Sequence, residues 1–305
     1  MKRLMVTGLD GFVGRHVKQA VESLRDGRFQ LVEARGAIEL REPATLQQAI
    51  EETRPDYVLH LAAQSFVPAS VKDPRATYEV NFFGTLNLLQ TLKAGGFRGR
   101  MLYVGSAEAY GAVRDEDLPV VESCPLRPRT PYGVSKAAAE LLCYQWTQDQ
   151  GFEIVMSRPF NHLGPGQAEH FVVPDFAKQV TEIKLGRREP VLKVGAIDVT
   201  RDFTDVRDVV QAYLALMERG ESGEAYNVCS GREFSIREIL EELIRLAEVE
   251  CRIIVDSARL RAIERKRNRG SFEKLAKCTG WHPRITLTES LRDVLAYWEL
   301  KFRHG

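Results

Sequence analysis

Apolar positions near the start of the chain fall in short blocks, and two periods alternate. Lys2–Thr7 carries the run Leu4-Met5-Val6 and predicts a buried strand. From Phe12 to about Asp26 the apolar residues recur at helical spacing. The pair repeats as a strand over Phe29–Ala34 and a helix over Ala44–Glu52, then as a strand over Asp56–Ala62 and a long helix from about Pro74 to Ala94. Arg100–Val104 reads as the next strand. Thr130 can cap a helix with Pro131 at its first position, running to about Gln150, and Glu153–Ser157 follows as a strand. Strands alternating with helices predict a parallel sheet covered on both faces.

After Arg158 the rhythm changes. Asn161–Gln167 is rich in Gly and Pro and reads as loop. Helices are expected near Asp175–Leu185, Val206–Glu218 and Ile236–Glu248, and short strands near Pro190–Lys193, Ala225–Val228 and Arg252–Val255. The last helix is expected over Leu287–Lys301. The fold expected is α/β. A doubly wound parallel sheet occupies residues 1–160, with a return segment at about 201–222, and a smaller, partly interleaved α/β lobe spans 161–305.

The 305 residues are 44% apolar and 28% charged, so a large core needs no disulfide or metal staple. Lys plus Arg is 43 against 42 for Asp plus Glu, a net charge of +1 that gives no field to draw nucleic acid or an anionic membrane. The five cysteines are odd in number and form no C-x-x-C pair, which suits a reducing cytosol and a cytoplasmic protein. The histidines show no zinc spacing, so no metal is expected. The run Leu4–Val6 is too short for a signal peptide, and no stretch approaches the ~18 apolar residues of a membrane span.

The first chemical signal is Thr7-Gly8-Leu9-Asp10-Gly11-Phe12-Val13-Gly14, a G-x-x-G-x-x-G between a strand and a helix. It is a variant of the Rossmann dinucleotide fingerprint. Gly8 makes the tight turn, Gly11 lets backbone approach a pyrophosphate, and Gly14 lets helix and strand pack closely. Phe12 and Val13 bring N–H groups of the helix N-terminus to the same place. At the end of the second strand a carboxylate binds the 2′-hydroxyl of NAD, whereas Arg favours the phosphate of NADP. Val32-Glu33-Ala34-Arg35 offers both; with Arg15 as a second cation, NADP(H) is favoured over NAD(H). Glu39 and Leu40 are candidates for the adenine ring, and Leu61, Ala62 and Ala63 for the cofactor backbone. Alternatively, Arg35 is a solvated loop residue.

The second signal is Tyr132-Gly133-Val134-Ser135-Lys136, which sets a phenol and an ammonium on one helix face. A free phenol titrates near ~10. A neighbouring ammonium, a helix N-terminus and an oxidised nicotinamide would all favour phenolate. The third signal is Ser106, just past Arg100–Val104, where the carboxyl end of a parallel strand faces the ligand crevice. Its hydroxyl could orient a substrate oxygen while Tyr132 exchanges the proton.

Together these residues resemble the extended short-chain dehydrogenase/reductase family over essentially the whole chain. Further matches are Asp56–Ala63, Asn81 in Val80-Asn81-Phe82-Phe83-Gly84-Thr85, Arg158-Pro159-Phe160-Asn161 and Arg201–Asp208. The resemblance implies that Ser106 and Tyr132 bind the reacting oxygen. It implies that Lys136 holds the nicotinamide ribose and lowers the Tyr132 pKa, and that Asn81 is a structural or relay residue near Lys136. Val104 and Pro159 join the cofactor-binding set.

Within that family, Arg158–Gln167 followed by Phe171-Val172 is similar to the reductases of GDP-4-keto-6-deoxy-D-mannose, which make GDP-D-rhamnose. So are Gly105–Glu108, Asp198–Phe203, Tyr226–Gly231 and Thr279–Trp281. The activity implied is hydride transfer from NAD(P)H to the C4 ketone of that GDP-sugar. Two alternatives stay open: a GDP-mannose 4,6-dehydratase, because Glu108 stands two residues after Ser106, and a non-catalytic NADP-binding scaffold. The resemblance places Arg201 and Arg261 on the diphosphate, Glu264 near the nucleoside, and Ser65, Ser106, Glu108, Asn161, Val172 and Lys178 around the substrate. The family often has Pro after the first Arg and an apolar strand after the Glu, whereas here Ala262 follows Arg261, and Arg265-Lys266-Arg267-Asn268-Arg269 follows Glu264. The basic stretch Arg259–Arg269 lacks interleaved aromatics and reads as a solvated face, not a nucleic-acid patch. The family also implies a homodimer through the helices at about Pro74–Ala94 and Tyr132–Gln150, where Phe82, Leu86, Leu89, Leu141 and Trp146 serve either the interface or the core.

Overall fold

Strand β1 (Lys2–Thr7) is buried on both faces from Leu4 onward, and its residues alternate between two separate cores. Leu4 and Val6 pack with Val17 and Val21 of α1 (Phe12–Ser23); Met5 faces Leu46 and Ile50 of α2 (Pro43–Thr53). In the computed structural model, which describes residues 1–24, 27–259 and 266–304, the same alternation recurs across the sheet. Leu59 opposes Val58 in β3 (Tyr57–His60), after the short edge strand β2 (Phe29–Leu31). The chain continues through α3 (Val67–Lys72), α4 (Pro74–Tyr78), α5 (Gly84–Ala94), β4 (Arg100–Val104), α6 (Pro131–Asp149) and β5 (Glu153–Pro159). It then forms β6 (Asn161–Leu163), α7 (Val172–Lys184), β7 (Val191–Val194), β8 (Thr200–Asp205), α8 (Val206–Arg219) and β9 (Ala225–Val228). The last elements are β10 (Glu233–Ser235), α9 (Ile236–Ala247), β11 (Arg252–Val255), α10 (Glu273–Thr279) and α11 (Leu287–His304).

Six parallel strands form one sheet in the order β2-β1-β3-β4-β5-β9. The expected α/β class with a doubly wound parallel sheet is borne out. The chain leaves β1 toward β2 and returns on the other side as β3, so a crevice opens at the carboxyl ends of these strands. The smaller lobe holds the sheet β10-β8-β6 and the pair β11-β7. Helices α7, α9 and α11 close around Phe176, Leu192, Leu240, Leu243, Leu291 and Trp298. Between these, α8 packs back on α1, and β9 adds the outer strand of the large sheet.

Three expectations are corrected. Asn161–Gln167 is not all loop: Asn161–Leu163 is β6, paired in parallel with Phe203–Asp205. The expected helix from Pro74 to Ala94 is two α-helices joined by a π-helical turn, Glu79–Phe83. The second strand stops at Leu31, because only Phe29–Leu31 has a partner register in β1. Strands β8 and β10 and helices α3 and α10 were not predicted.

Candidate active site

The turn after β1 is built as its glycines require. Gly8 has φ of 77°, and a Cβ there would stand 2.9 Å from the amide nitrogen of Ala62. A Cβ on Gly14 would collide with the carbonyls of Gly8 and Leu9. This turn is one wall of a cavity of about 910 Å³.

The same cavity is lined by Tyr132, Lys136 and Ser106. Thr130 caps α6 by accepting from the Gly133 amide at 3.0 Å, and Pro131 takes the first turn. Tyr132 and Lys136 therefore stand one turn apart, both buried. The hydroxyl of Ser70 in α3 accepts from the Tyr132 amide at 3.2 Å, fixing the start of the helix from the other side. Ser106 stands two residues past the end of β4; its hydroxyl accepts from the Glu108 amide at 3.1 Å, and it lines the same cavity as Tyr132. Lys136 Nζ donates to the Val104 carbonyl at 2.7 Å and lies 5.2 Å from the Tyr103 ring centre.

The expected lowering of the Tyr132 pKa by Lys136 is not what this geometry gives. Burial pushes the phenol up to about 12, with Ser106 drawing it down and the Glu108 charge adding to the rise. The ammonium is aimed at Val104 instead, and burial lowers it to about 8. A phenol protonated across neutral pH is a proton donor, the role a reduction requires.

A buried polar chain holds α6 to the sheet. Ser135 Oγ donates to the Tyr132 carbonyl at 2.7 Å and accepts from Asn81 Nδ2 at 2.9 Å. Asn81, in the π-helical turn, accepts from the Gln64 amide at 2.8 Å, and its carbonyl accepts from Thr85 Oγ1 at 2.7 Å. Since Thr85 spends its proton there, His60 must donate to it from Nε2 at 3.0 Å, leaving Nδ1 to accept from Thr7 Oγ1 at 2.7 Å. His60 is thus neutral, and burial draws its pKa to about 3. One turn beyond Lys136, Glu140 meets Arg158 of β5 in a buried pair at 2.6 Å. Arg158 also donates to Tyr110, whose hydroxyl donates to Asn227 of β9 at 2.7 Å.

Of the residues singled out from the sequence, Gly8, Gly11, Phe12, Val13, Gly14, Leu61, Ala62, Ala63, Val104, Tyr132, Lys136 and Pro159 line this cavity. So do Ser65, Ser106, Glu108, Asn161, Val172 and Arg201. Six others stand apart from its lining. Arg15 donates to the carbonyls of Asp10 and Gly166; Arg35 is exposed and gives its amide to Glu52. Glu39 pairs with Arg41, Leu40 is core against Gly84, Asn81 is in the chain described above, and Lys178 pairs with Glu169 at 2.8 Å. Arg261 and Glu264 lie outside the described residues. No cluster of potential metal ligands occurs among the described residues.

The family model for GDP-mannose 4,6 dehydratase matches residues 15–294. The chain belongs to that family. The expected resemblance to extended short-chain dehydrogenases/reductases is borne out with it. GDP-6-deoxy-D-mannose reductase of Pseudomonas aeruginosa is 47% identical over 302 residues, 99% of each chain. The structure of RMD from Pseudomonas aeruginosa, complexed with NADPH, superposes with a TM-score of 0.95 at 46% identity, covering 99% of this chain and 100% of that one. UDP-glucose 4-epimerase of Thermus thermophilus, in complex with NAD, gives a TM-score of 0.85 at 28% identity, covering 97% and 98%.

Several family-lobe contacts escaped the sequence. Phe66, His170 and Phe171 meet in a ring cluster on the cavity wall, with Phe66 and His170 centres 4.5 Å apart. Tyr213 of α8 reaches the same cavity from below the sheet. The only sequence signal for Tyr213 was a hydroxyl on an otherwise apolar stripe, which the helical period alone assigns to core.

Proposed function

We propose that the protein reduces the C4 ketone of GDP-4-keto-6-deoxy-D-mannose to GDP-D-rhamnose, with NADPH preferred over NADH. GDP-D-rhamnose is GDP-6-deoxy-D-mannose, the sugar in the name of the Pseudomonas aeruginosa relative. The observation that carries this reading is that Ser106, Tyr132 and Lys136 line the same cavity as the glycine-rich turn.

The residues present fit a dinucleotide: Gly8, Gly11 and Gly14 line the cavity where α1 begins, in a turn where neighbouring backbone would collide with a Cβ at Gly8 or Gly14. When bound, NADPH supplies the hydride that goes to C4. Tyr132 gives its phenolic proton to the oxygen as the C=O bond becomes C–O–H. Ser106 steadies that oxygen by a contact that strengthens as charge develops. Lys136 places a positive charge beside the site. Just past the second strand, Glu33 is tied to Lys18 at 2.7 Å, which leaves Arg35 as the cation available to a 2′-phosphate. Residues 1–160 with the return segment hold the cofactor, and 161–305 the nucleotide sugar, where Arg201, Asn161 and Val172 face the cavity.

Glu108 favours a second reading as a dehydratase, since it is exposed in the cavity two residues after Ser106. NADPH absorbance followed with the GDP-, dTDP- and UDP-linked 4-keto-6-deoxy sugars decides between them. The expected outcome is stoichiometric oxidation with the GDP sugar. Turnover of GDP-mannose without net NADPH use would replace the reductase by the dehydratase, and no turnover of any sugar would leave the scaffold.

No helix among the described residues is long and apolar enough to cross a membrane, and all five thiols are free, which supports a cytoplasmic location. Pairing as a homodimer is part of the reading. Leu89 and Trp146 are core and Phe82 and Leu86 pack against it, but Leu141 is exposed with Val134 and Tyr144 on one stripe of α6, beside exposed Phe83.

A further inference from the structure

Asp175 stands on the face of α7 that lines the cavity, one turn from Val172 and next to Phe176. Its side chain is 23% exposed, so the carboxylate is open to that space. Two side chains hold it, and both use the same oxygen. Oδ2 accepts from Arg259 Nη1 at 2.5 Å and from Gln179 Nε2 at 2.9 Å. Gln179 is clamped in turn to the Lys193 backbone of β7 by bonds of 3.1 and 3.2 Å, which fixes the carboxylate against two elements. Oδ1 has no partner among the described residues. The lining beside this pair is small, at Gly195, Ala196 and Ala258. A Cβ on Gly195 would stand 2.7 Å from the Arg259 carbonyl, so backbone packs on backbone there.

We propose that Asp175 reads the base of the nucleotide sugar, accepting from N1–H and the exocyclic N2–H of guanine. This rests on the reading of the protein as a GDP-sugar reductase. Ser106 and Tyr132 set the end of the cavity where the sugar ketone must lie, and the glycine-rich turn takes the cofactor. The base, two phosphates away from the sugar, therefore falls to the lining that the smaller lobe supplies. That lobe puts two carboxylates on the lining. Glu169 is 57% exposed and turned to Lys178, whereas Asp175 is held in place with one oxygen spare. An ionised carboxylate accepts only. Guanine alone among the common bases presents two adjacent N–H donors on one edge. Adenine and cytosine set a bare ring nitrogen beside their amine, and uracil and thymine flank one N–H with carbonyls. Each would turn an acceptor against Asp175, so the same group that attracts guanine rejects the others. Arg259 beside it supplies the donor that O6 requires.

The test titrates wild type and Asp175→Asn calorimetrically with GDP, IDP, XDP, UDP and dTDP. IDP lacks the amine at C2, and XDP carries a carbonyl there. Wild type should bind GDP about tenfold or more tighter than IDP or XDP, the worth of a hydrogen bond to a charged group. Asparagine offers one acceptor and one donor, which suits N1–H beside the C2 carbonyl of xanthine. The variant should therefore bind XDP tighter than GDP, a gain that misfolding cannot produce. A wild type that binds IDP as well as GDP overturns the proposal whatever the variant does. A variant that keeps the wild-type ranking of the three purine nucleotides overturns it too. If wild type prefers UDP or dTDP to GDP, or binds none of the five, the GDP-sugar reading falls and the proposal with it; if GDP is preferred to UDP and dTDP but the purine ranking fails, the proposal alone falls.

Discussion

On the sheet side of the cavity, Tyr132 and Lys136 project from a helix tied down by buried hydrogen bonds to Ser70, Asn81 and Val104 and by the Glu140–Arg158 pair. Across the cavity the smaller lobe presents its charges in partly exposed ion pairs. Arg259 meets Asp175 at 2.5 Å with about two-fifths of its side chain exposed, and Lys178 meets Glu169 with about a third exposed. The difference separates two tasks. Groups that must point at one reacting atom need a preorganised dry wall. On the proposed reading, groups that recognise a flexible nucleoside diphosphate gain by having exposed partners they can exchange at little cost.

The sharpest way to break this comparison is Tyr132→Phe. It removes the proton donor and keeps the ring, so turnover should fall by about 10²- to 10⁴-fold while NADPH binding persists. Steady-state rates beside a direct NADPH titration check this. A variant that turns over at the wild-type rate would move the chemistry off the sheet side altogether.

Glu140→Ala comes next. It strands the Arg158 guanidinium, which is buried and raised in pKa by its carboxylate partner. Removing one member of a buried pair costs about 3–5 kcal/mol. Glu169→Ala, on the lobe side, should cost under ~1 kcal/mol because its pair is solvated. Urea unfolding of the two variants measures both, and equal losses would erase the distinction between the walls.

What the chain discloses in one dimension follows the same division. The glycine-rich turn, the Tyr132/Lys136 spacing and Ser106 at a strand end are local patterns set by one element each, and the cavity gathers them. The alternation of Leu4 and Val6 against Met5 is likewise local. β6 was hidden because Asn161–Leu163 becomes a strand only by pairing with residues some forty positions later, beside a Gly-Pro that reads as loop. The π-helical turn at Glu79–Phe83 leaves the apolar period nearly intact, so nothing in the spacing announces it. Yet that turn carries Asn81, whose side chain spans the Gln64 amide and Ser135. Tyr103, which backs Lys136, looked like one more apolar strand residue, although its hydroxyl donates to the Lys136 carbonyl at 3.1 Å.

The smallest effect concerns how the buried chain responds to acid. His60 is neutral between Thr7 and Thr85, with a pKa of about 3 when folded against 6.5 as its ordinary value. Between those values the unfolded chain holds a proton that the folded one does not, so stability is complete above the unfolded pKa and is lost as pH falls toward the folded one. Near pH 5.5 the loss is about 1.4 kcal/mol, growing by about the same amount for each further unit. Urea unfolding at pH 8 and pH 5.5 should show this in wild type and much less in His60→Gln. Some dependence should survive in the variant, because burial also lowers His16 and His162. Those two rings flank Phe12, and His16 bonds the Pro165 carbonyl at 3.0 Å, so they sit where the glycine-rich turn meets the smaller lobe. If His60→Gln keeps the full wild-type pH dependence, the acid-sensitive element is that seam and not the sheet-side chain that positions Tyr132.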